Sequence, residues 1–307
     1  MPPTFVILGP TAVGKTELSL DLAVTLAEKF SDSEIVNADS MQLYRGMDIG
    51  TAKVSLSDRR GIMHHMLDVL DVTQTATVAE YQRDARAAIE QIHQRGHAAV
   101  VVGGSGLFIN ALLDDMQFPA GDPEVRLRLE KEAEDIGTAA MYERLVTRDP
   151  IAAAPVLPTN LRRIIRALEV IEVTGAAPIT SMRELPEVVP AIRVGLRRDR
   201  SDIDSRISTR VELMWQQGFV SEVEHLLSLG LEQGVTASKA LGYQQIVSAI
   251  KGECSMEQAK EDTVFGTRRY VRRQESWFKR DSRIHWFDAD SVTADDVITL
   301  ANRIGST

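Results

Sequence analysis

The sequence predicts an α/β fold, with a P-loop core built on a doubly wound parallel sheet and a mainly helical insertion domain. A glycine-rich loop lies between an apolar strand and an amphipathic helix near the start of the chain. Short apolar strands then alternate with helical patterns, which is typical of a parallel sheet. A central stretch is rich in Glu, Arg and Ala but offers no strand. We therefore assign residues 1–117 and 191–307 to the core with its C-terminal helices, and 118–190 to the insertion.

The first element is a phosphate-binding loop that follows the apolar run 5–8. Two glycines let the backbone wrap, so that its N–H groups and the following helix N-terminus converge on phosphate. A lysine adds a point charge, and a threonine hydroxyl is placed to bind magnesium. A bland alternative is a strand-to-helix turn that merely contains glycines. The predicted diphosphate-binding residues are Gly9, Pro10, Thr11, Ala12, Val13, Gly14, Lys15 and Thr16.

The second predicted strand, 34–40, contributes an aspartate at its polar end. Parallel strands of such sheets present their following loops at one edge, so Asp39 should lie beside the phosphate loop. The apolar strand 98–102 ends instead in glycines and carries no acid. Asp39 can therefore act on magnesium or accept a proton from a nucleophile. The alternative role for Asp39 is a helix N-cap, with Ser40 as competitor.

The other elements complete the core. Residues 41–53 lack periodicity and are predicted to form a loop and a short helix near the site. A helix with Val78 to Ile92 on one face precedes the strand 98–102. Prolines, including Pro178, bracket the insertion. After it we predict a strand at 192–196, a helix at 203–217, further helices to about residue 280, and a last strand at 284–287.

Arg206 and Arg210 lie four residues apart on a helix whose apolar stripe is Ile207, Val211 and Met214. The two arginines therefore share a neighbouring face. Such a pair can clamp a diphosphate whose charge grows as it leaves. A solvated face paired to nearby acids explains the same pattern equally well.

The C-terminal helix, predicted at about 264–280, is strongly basic although the whole chain carries a net charge of −9. Rows of guanidinium groups suit phosphate backbones, so Arg269 and Arg273 are candidate RNA contacts. A smaller set within the insertion contains Arg162, Arg163 and Arg166. Charge runs are more often solvated faces, and these rows alone do not establish RNA binding.

Composition narrows the class of protein further. The chain of 307 residues is 44% hydrophobic and 26% charged, as in ordinary globular proteins, and no apolar run reaches the length of a membrane span. The N-terminus runs directly into a strand, so we expect no signal peptide. The lone Cys254 suits a reducing cytoplasm. The histidines lack metal-ligand spacing, and we expect no metal beyond a phosphate-bound Mg²⁺.

Eight segments of the chain, several of them described above, together resemble one family, the tRNA dimethylallyltransferases, also called tRNA isopentenyltransferases. The resemblance spans nearly the whole chain, and the second and last of its segments are highly specific to the family. They are GPTAVGKT (9–16), DSMQLYRGMDIGTAK (39–53), VVGGSGLF (101–108), DPEVR (122–126), RRIIRALEV (162–170), RISTRVELM (206–214), LGYQQ (241–245) and TRRYVRRQESWFKR (267–280).

The resemblance implies transfer of a dimethylallyl group from its diphosphate to the exocyclic amine of the adenosine 3′ of the tRNA anticodon. It implies that Asp39 orients or deprotonates the amine. Lys15, Thr16 with magnesium, Thr11 and Arg210 would stabilise the departing diphosphate, with Arg210 favoured over Arg206. The target base would be flipped out to reach the site, and the insertion would contact the anticodon stem. The residues that match tRNA-contacting positions are Asp39, Ser40, Met41, Gln42, Ser105, Arg126, Arg163, Ile164, Ile165, Arg166 and Ala167.

Departures from the family pattern are small. Ser105 stands where many members have threonine, and Phe108 replaces a more usual tyrosine.

Two other functions remain open. One is an ATP-binding small-molecule or nucleoside kinase, and the other is an RNA-binding protein switched by a bound nucleotide. Nothing in the sequence requires a dimer, so we expect a monomer.

Overall fold

The computed structural model describes residues 2–119, 121–175 and 185–305. They form two compact units, here called the core unit (1–114 and 187–307) and the helical unit (115–186). The insertion predicted at 118–190 includes residue 120 and residues 176–184, with Pro178, which lie outside the described residues. Residues 1, 306 and 307 also lie outside them.

The core unit contains a six-stranded sheet in which every neighbouring pair is parallel, in the order β3-β2-β4-β1-β5-β6. The predicted doubly wound α/β sheet is therefore confirmed. The two-residue strand β3 at the edge had no sequence signal. The strands are β1 (Thr4–Leu8), β2 (Ser33–Asn37), β3 (His64–His65), β4 (Ala98–Gly103), β5 (Ile192–Arg197) and β6 (His285–Asp288).

Eleven α-helices accompany the sheet within the described residues, three of them in the helical unit. They are α1 (Lys15–Ala27), α2 (Val78–Gln94), α3 (Gly106–Leu113), α4 (Pro123–Arg148), α5 (Pro150–Ala153), α6 (Leu161–Thr174), α7 (Arg200–Gln216), α8 (Phe219–Ser228), α9 (Tyr243–Ile250), α10 (Met256–Phe278) and α11 (Ala294–Gly305). Helix α10 begins earlier than predicted because Ser255 caps it by accepting the Gln258 N–H.

Side chains of the strands alternate between the two faces of the sheet, and each face has its own core. Val6 and Leu8 of β1 pack with α2 and α3, whereas Phe5 and Ile7 pack with α1 and α11. Burial on both faces explains why these strands read as continuous apolar runs. The loops that follow the strands consequently lie together at one edge of the sheet.

A third cluster joins α8 and α9 to the segment 41–53. The Phe219 ring meets the Tyr243 ring edge-on, with 4.8 Å between centroids. Gly50 lies against both rings, and a Cβ there would be 2.2 Å from the Phe219 ring. The short helix expected within 41–53 is wrong: the segment consists of turns. Its N–H groups at 48, 49 and 50 donate to the Glu222 carboxylate, which takes the place of helical hydrogen bonds.

The helical unit has its own core, formed by α4, α5 and α6. Leu129 and Leu145 of α4 pack with Leu168 of α6. Helix α4 is interrupted at Gly137, whose φ of 80° lies in the left-handed region that glycine tolerates. In the described part of the chain, no helix combines the length and apolarity needed to cross a membrane.

Candidate active site

Three loops meet at the carboxyl edge of the sheet and surround a cavity of about 550 Å³, here called the phosphate cavity. The phosphate loop follows β1, the Asp39 segment follows β2, and Gly104 follows β4, which ends at Gly103. Helix α7 closes the remaining side. The lining includes Thr11, Ala12, Gly14, Lys15, Thr16, Asp39, Gln42, Thr51, Gly103, Gly104, Arg206 and Arg210.

The phosphate loop has the conformation that its glycines predict. Gly9 and Gly14 have φ values of 148° and 111°. A Cβ on Gly9 would lie 2.8 Å from the Leu196 carbonyl oxygen, so the loop approaches β5 too closely for a side chain. The Val13 side chain is buried in the core and anchors the loop. The Lys15 Nζ donates to the Pro10 carbonyl at 2.7 Å, which folds the lysine back over the loop.

Asp39 lies two residues beyond β2, in a turn fixed by its neighbours. Its N–H donates to Asn37 Oδ1 at 2.9 Å, and Asn37 Nδ2 donates to the Asp39 carbonyl at 2.9 Å. Asp39 Oδ1 accepts the Met41 N–H at 2.9 Å. No helix starts here, so the N-cap alternative for Asp39 is wrong. The carboxylate lines the phosphate cavity and carries charge into it.

The cavity gathers two cations around this carboxylate. Loss of solvation lowers the pKa of Lys15 to about 8, the Asp39 carboxylate opposes that shift, and Arg210 lowers the pKa further. Loss of solvation also lowers the pKa of Arg210, again opposed by Asp39. In all, three cationic side chains line the cavity (Lys15, Arg206 and Arg210) against two acidic ones (Glu17 and Asp39), which leaves the site short of negative charge. A diphosphate would supply it.

Arg206 and Arg210 differ in their surroundings although both line the phosphate cavity. Arg206 is exposed and donates from Nε to the Ala12 carbonyl at 3.0 Å. Arg210 is half-buried and donates from Nη2 to the Thr51 carbonyl at 3.3 Å. The carbonyl of Thr51 also accepts Gln42 Nε2 at 3.1 Å. Arg210 therefore belongs to the interior of the site, and Arg206 lies over the phosphate loop.

A second cavity of about 290 Å³, here called the side cavity, shares Thr11, Asp39, Thr51 and Arg210 with the first. Its wall is largely apolar and comes from α7, α8, α9 and α10. Asp39 thus stands where a polar phosphate site joins an apolar chamber. The apolar and aromatic lining residues are Met41, Ile207, Val211, Met214, Phe219, Ala240, Leu241, Tyr243 and Tyr270.

Several predicted RNA contacts lie beside these cavities. Ser40 and Met41 line the side cavity, as does Arg273 of α10, and Gln42 lines the phosphate cavity. Ser105 immediately precedes α3, and its Oγ accepts the Ser40 N–H at 3.3 Å. Arg269 is exposed on α10, with its guanidinium 5.8 Å from the centroid of the exposed Phe265 ring.

The remaining predicted RNA contacts belong to the helical unit. Arg163 is exposed, and Arg126 and Arg166 are half-buried and pair with the buried Glu169. The side chains of Ile164, Ile165 and Ala167 are buried in the core of this unit. Buried apolar side chains offer no surface to RNA. In this stretch the arginines are therefore the side chains predicted to contact RNA, and the three apolar side chains pack α6 into the unit's core.

Sequence reasoning missed two polar residues that organise the site. The Gln274 amide is buried on α10, accepts the Thr11 N–H and donates to the Gly104 carbonyl, each at 2.9 Å. Glu222 on α8 holds the turn at 48–50, next to Thr51. A signal for Gln274 existed: it is an amide on the same buried face of α10 as Val271 and Phe278.

The donor set around the phosphate loop is oxygen-based. The Thr16 hydroxyl and the Asp39 carboxylate line the phosphate cavity, and both are hard oxygen ligands of the kind that Mg²⁺ accepts. Among the described residues no cluster of three or more His, Cys, Asp or Glu side chains could hold a metal by itself. The residues present therefore fit a magnesium ion that takes most of its ligands from phosphate and water.

Comparison with known proteins identifies the family to which the chain is similar. The family model for IPP transferase matches residues 42–281. The chain is 53% identical to a tRNA dimethylallyltransferase of Thermobifida fusca, over 93% of this chain and 89% of that protein. It is 53% identical to the Mycobacterium tuberculosis protein of the same name, over 96% and 95%.

Solved structures similar to this chain belong to transferases of the same kind. The tRNA isopentenylpyrophosphate transferase of Staphylococcus epidermidis aligns with a TM-score of 0.71 at 34% identity, over 100% of both chains. A eukaryotic dimethylallyltransferase described as acting on tRNA aligns with a TM-score of 0.83 at 26% identity, over 100% of this chain and 80% of that one. A phosphate loop, an aspartate at the second strand end and these matches lead to one conclusion: the chain belongs to the IPP transferase family.

Proposed function

We propose that this protein transfers a dimethylallyl group from dimethylallyl diphosphate to the exocyclic amine of the adenosine 3′ of the anticodon in tRNA. The observation that carries the proposal is the placement of Asp39 with Lys15 and Arg210 around one cavity closed by the phosphate loop. A carboxylate facing a diphosphate cradle suits the activation of an amine next to a leaving diphosphate. The names of the bacterial relatives support the same reaction.

The diphosphate would lie on the phosphate loop. Backbone N–H groups of the loop, the N-terminus of α1 and Lys15 would bind its oxygens. Arg210 would reach the diphosphate from α7 on the far wall, and Arg206 would cover the loop from outside. Thr16 would hold a magnesium ion bound to the same diphosphate, and that ion would neutralise part of its charge. Thr11 would contact the diphosphate where the two cavities join.

The reaction forms one bond, breaks one bond and transfers one proton. The adenosine N6 lone pair attacks C1 of the dimethylallyl group while the C1–O bond breaks, and its electrons leave with the diphosphate. The nitrogen then loses a proton, which Asp39 accepts. Lys15 and Arg210 stabilise the charge that grows on the leaving oxygen. The Asp39 side chain is held by the Met41 N–H, so it needs no reorganisation to take part.

The RNA substrate would be bound by two sets of arginines, one on α10 and one in the helical unit. Arg269 and Arg273 on α10 would contact phosphates near the side cavity, and Arg126, Arg163 and Arg166 would contact the anticodon stem from the helical unit. Ser40, Met41, Gln42 and Ser105 would surround the target nucleotide, which leaves the base stack to reach Asp39. We expect the enzyme to act as a cytoplasmic monomer.

The proposal is tested with the purified protein, magnesium, radiolabelled dimethylallyl diphosphate and an unmodified anticodon stem-loop that carries adenosine 3′ of the anticodon. Label should enter the RNA, and it should vanish when that adenosine is replaced by guanosine. Omitting magnesium should lower the rate. Failure to label any adenosine-bearing stem-loop or full-length tRNA would overturn the proposal, and ATP turnover would then be measured.

A further inference from the structure

One buried amide connects the phosphate loop to the loop beside Asp39. Gln274 belongs to α10, and its side chain is 5% exposed. Its Oε1 accepts the N–H of Thr11 at 2.9 Å, and its Nε2 donates to the carbonyl oxygen of Gly104 at 2.9 Å. The glutamine amide accepts at Oε1 and donates at Nε2, so the two contacts use both of its polar atoms.

The link continues from Gly104 to Asp39 through short steps. Ser105 follows Gly104, donates its N–H to the Ala38 carbonyl at 3.3 Å, and accepts the Ser40 N–H on its Oγ at 3.3 Å. Asp39 lies between Ala38 and Ser40. The loop proposed to hold the diphosphate and the carboxylate proposed to take the proton are therefore connected through the Gln274 amide.

The glycine at position 104 fits this arrangement. A Cβ on Gly104 would lie 2.3 Å from Gln274 Nε2 and 3.3 Å from the Gly9 carbonyl oxygen. The first distance is shorter than non-bonded atoms allow, so any side chain at 104 would displace the amide. The backbone is thus shaped to receive Gln274.

We propose that Gln274 is a positioning residue for the transfer reaction. It holds the Thr11 end of the phosphate loop at a fixed distance from the Asp39 turn, so that C1 of the bound dimethylallyl diphosphate lies in reach of the activated amine. The inference rests on the proposed function and deepens it. A misplacement of about 1 Å between reacting groups lowers a rate by about 10²-fold.

The test compares Gln274→Met, Gln274→Glu and Gly104→Ala with the intact enzyme. Methionine fills the same space without either hydrogen bond, and glutamate keeps an acceptor for Thr11 but loses the donor to Gly104. Gln258→Met is the matched control, because Gln258 lies on the exposed first turns of the same helix and contacts Asp262. Thermal unfolding checks that each variant is folded.

Three quantities separate positioning from simple packing: kcat, the affinity for magnesium pyrophosphate, and the affinity for unmodified tRNA. We expect kcat to fall by about 10²-fold in Gln274→Met and pyrophosphate binding to weaken, while tRNA affinity and the Gln258→Met control stay unchanged. Gly104→Ala should reproduce these losses, and the double variant should be no worse than either single one, because both remove the same link.

Two results would overturn the inference: unchanged kcat and pyrophosphate affinity in a folded Gln274→Met protein, or a loss of tRNA affinity with pyrophosphate binding intact. The second result would mean that Gln274 only seats α10. Should the intact protein itself transfer no label to tRNA, the proposed function fails. The pyrophosphate titration would then still decide whether Gln274 shapes the phosphate loop.

Discussion

The Tyr243 hydroxyl donates a hydrogen bond of 2.6 Å to Glu222 Oε1. Burial and the nearby Glu222 carboxylate raise the pKa of Tyr243, so this hydroxyl keeps its proton and remains a donor. The same carboxylate accepts the N–H groups of residues 48, 49 and 50. Helices α8 and α9 thereby hold the turn that precedes Thr51, whose carbonyl accepts from Arg210 and Gln42.

Removing the Glu222 carboxylate should destabilise the protein and loosen Arg210. We expect Glu222→Ala to lower the free energy of unfolding by about 1.5–3 kcal/mol, since hydrogen bonds to a charged group are lost and N–H groups are left unpaired. Tyr243→Phe removes one bond and should cost about 1 kcal/mol. Urea unfolding monitored by circular dichroism measures both. Equal stability of Glu222→Ala and the intact protein would contradict this role.

Asp39→Asn should remove the base while keeping the turn. The asparagine Oδ1 can still accept the Met41 N–H, so the fold of the segment should persist. Transfer should slow by about 10²–10⁴-fold, as expected for the loss of a general base. Binding of dimethylallyl diphosphate should not weaken, because the substitution removes a negative charge that repels the diphosphate. Single-turnover transfer and equilibrium binding measure the two effects. Full activity in the asparagine variant would exclude Asp39 as the base.

Diphosphate affinity should depend on the charge of Lys15. Its pKa lies at about 8, so the lysine is mostly protonated at pH 7 and loses its charge as the pH rises above that value. The dissociation constant for dimethylallyl diphosphate should therefore rise above pH 8, by at most about tenfold per pH unit for one proton. Lys15→Arg stays charged and should remove this dependence. A rise of the same size in the arginine variant would assign it to another group.

The two arginines of α7 should contribute unequally. Arg210 lies inside the site, and we expect Arg210→Ala to lower transfer by roughly 10²–10³-fold, as when a group that stabilises a leaving charge is removed. Arg206 is exposed and contacts the Ala12 carbonyl, so Arg206→Ala should cost less than about tenfold, in line with the small value of exposed charge contacts. Single-turnover rates at saturating substrate compare them. The reverse order would transfer the leading role to Arg206.

Local patterns in the sequence were enough to predict most strands of the sheet and the phosphate loop. Apolar runs at 5–8 and 98–102 predicted strands, and the spacing Gly9, Gly14, Lys15, Thr16 predicted the loop. The two-residue strand β3 and the helices α3 and α11 were not predicted. The short helix placed within 41–53 was wrong, because Glu222, far away in sequence, satisfies that segment's N–H groups. Contacts of this kind leave no periodicity to read.

The sequence by itself determined the α/β class, the phosphate loop, the position of Asp39 beyond a strand end and the arginine pair of α7, since each depends on neighbours in the chain. Tertiary structure alone decided which groups meet. It brought Gln274 to Thr11 across 263 positions and Glu222 to Gly50 across 172. It also made Arg210 the inner arginine and Arg206 the outer one. Hydrogen bonds between residues so far apart in the chain depend on how the sheet and its helices pack, so no local pattern encodes them.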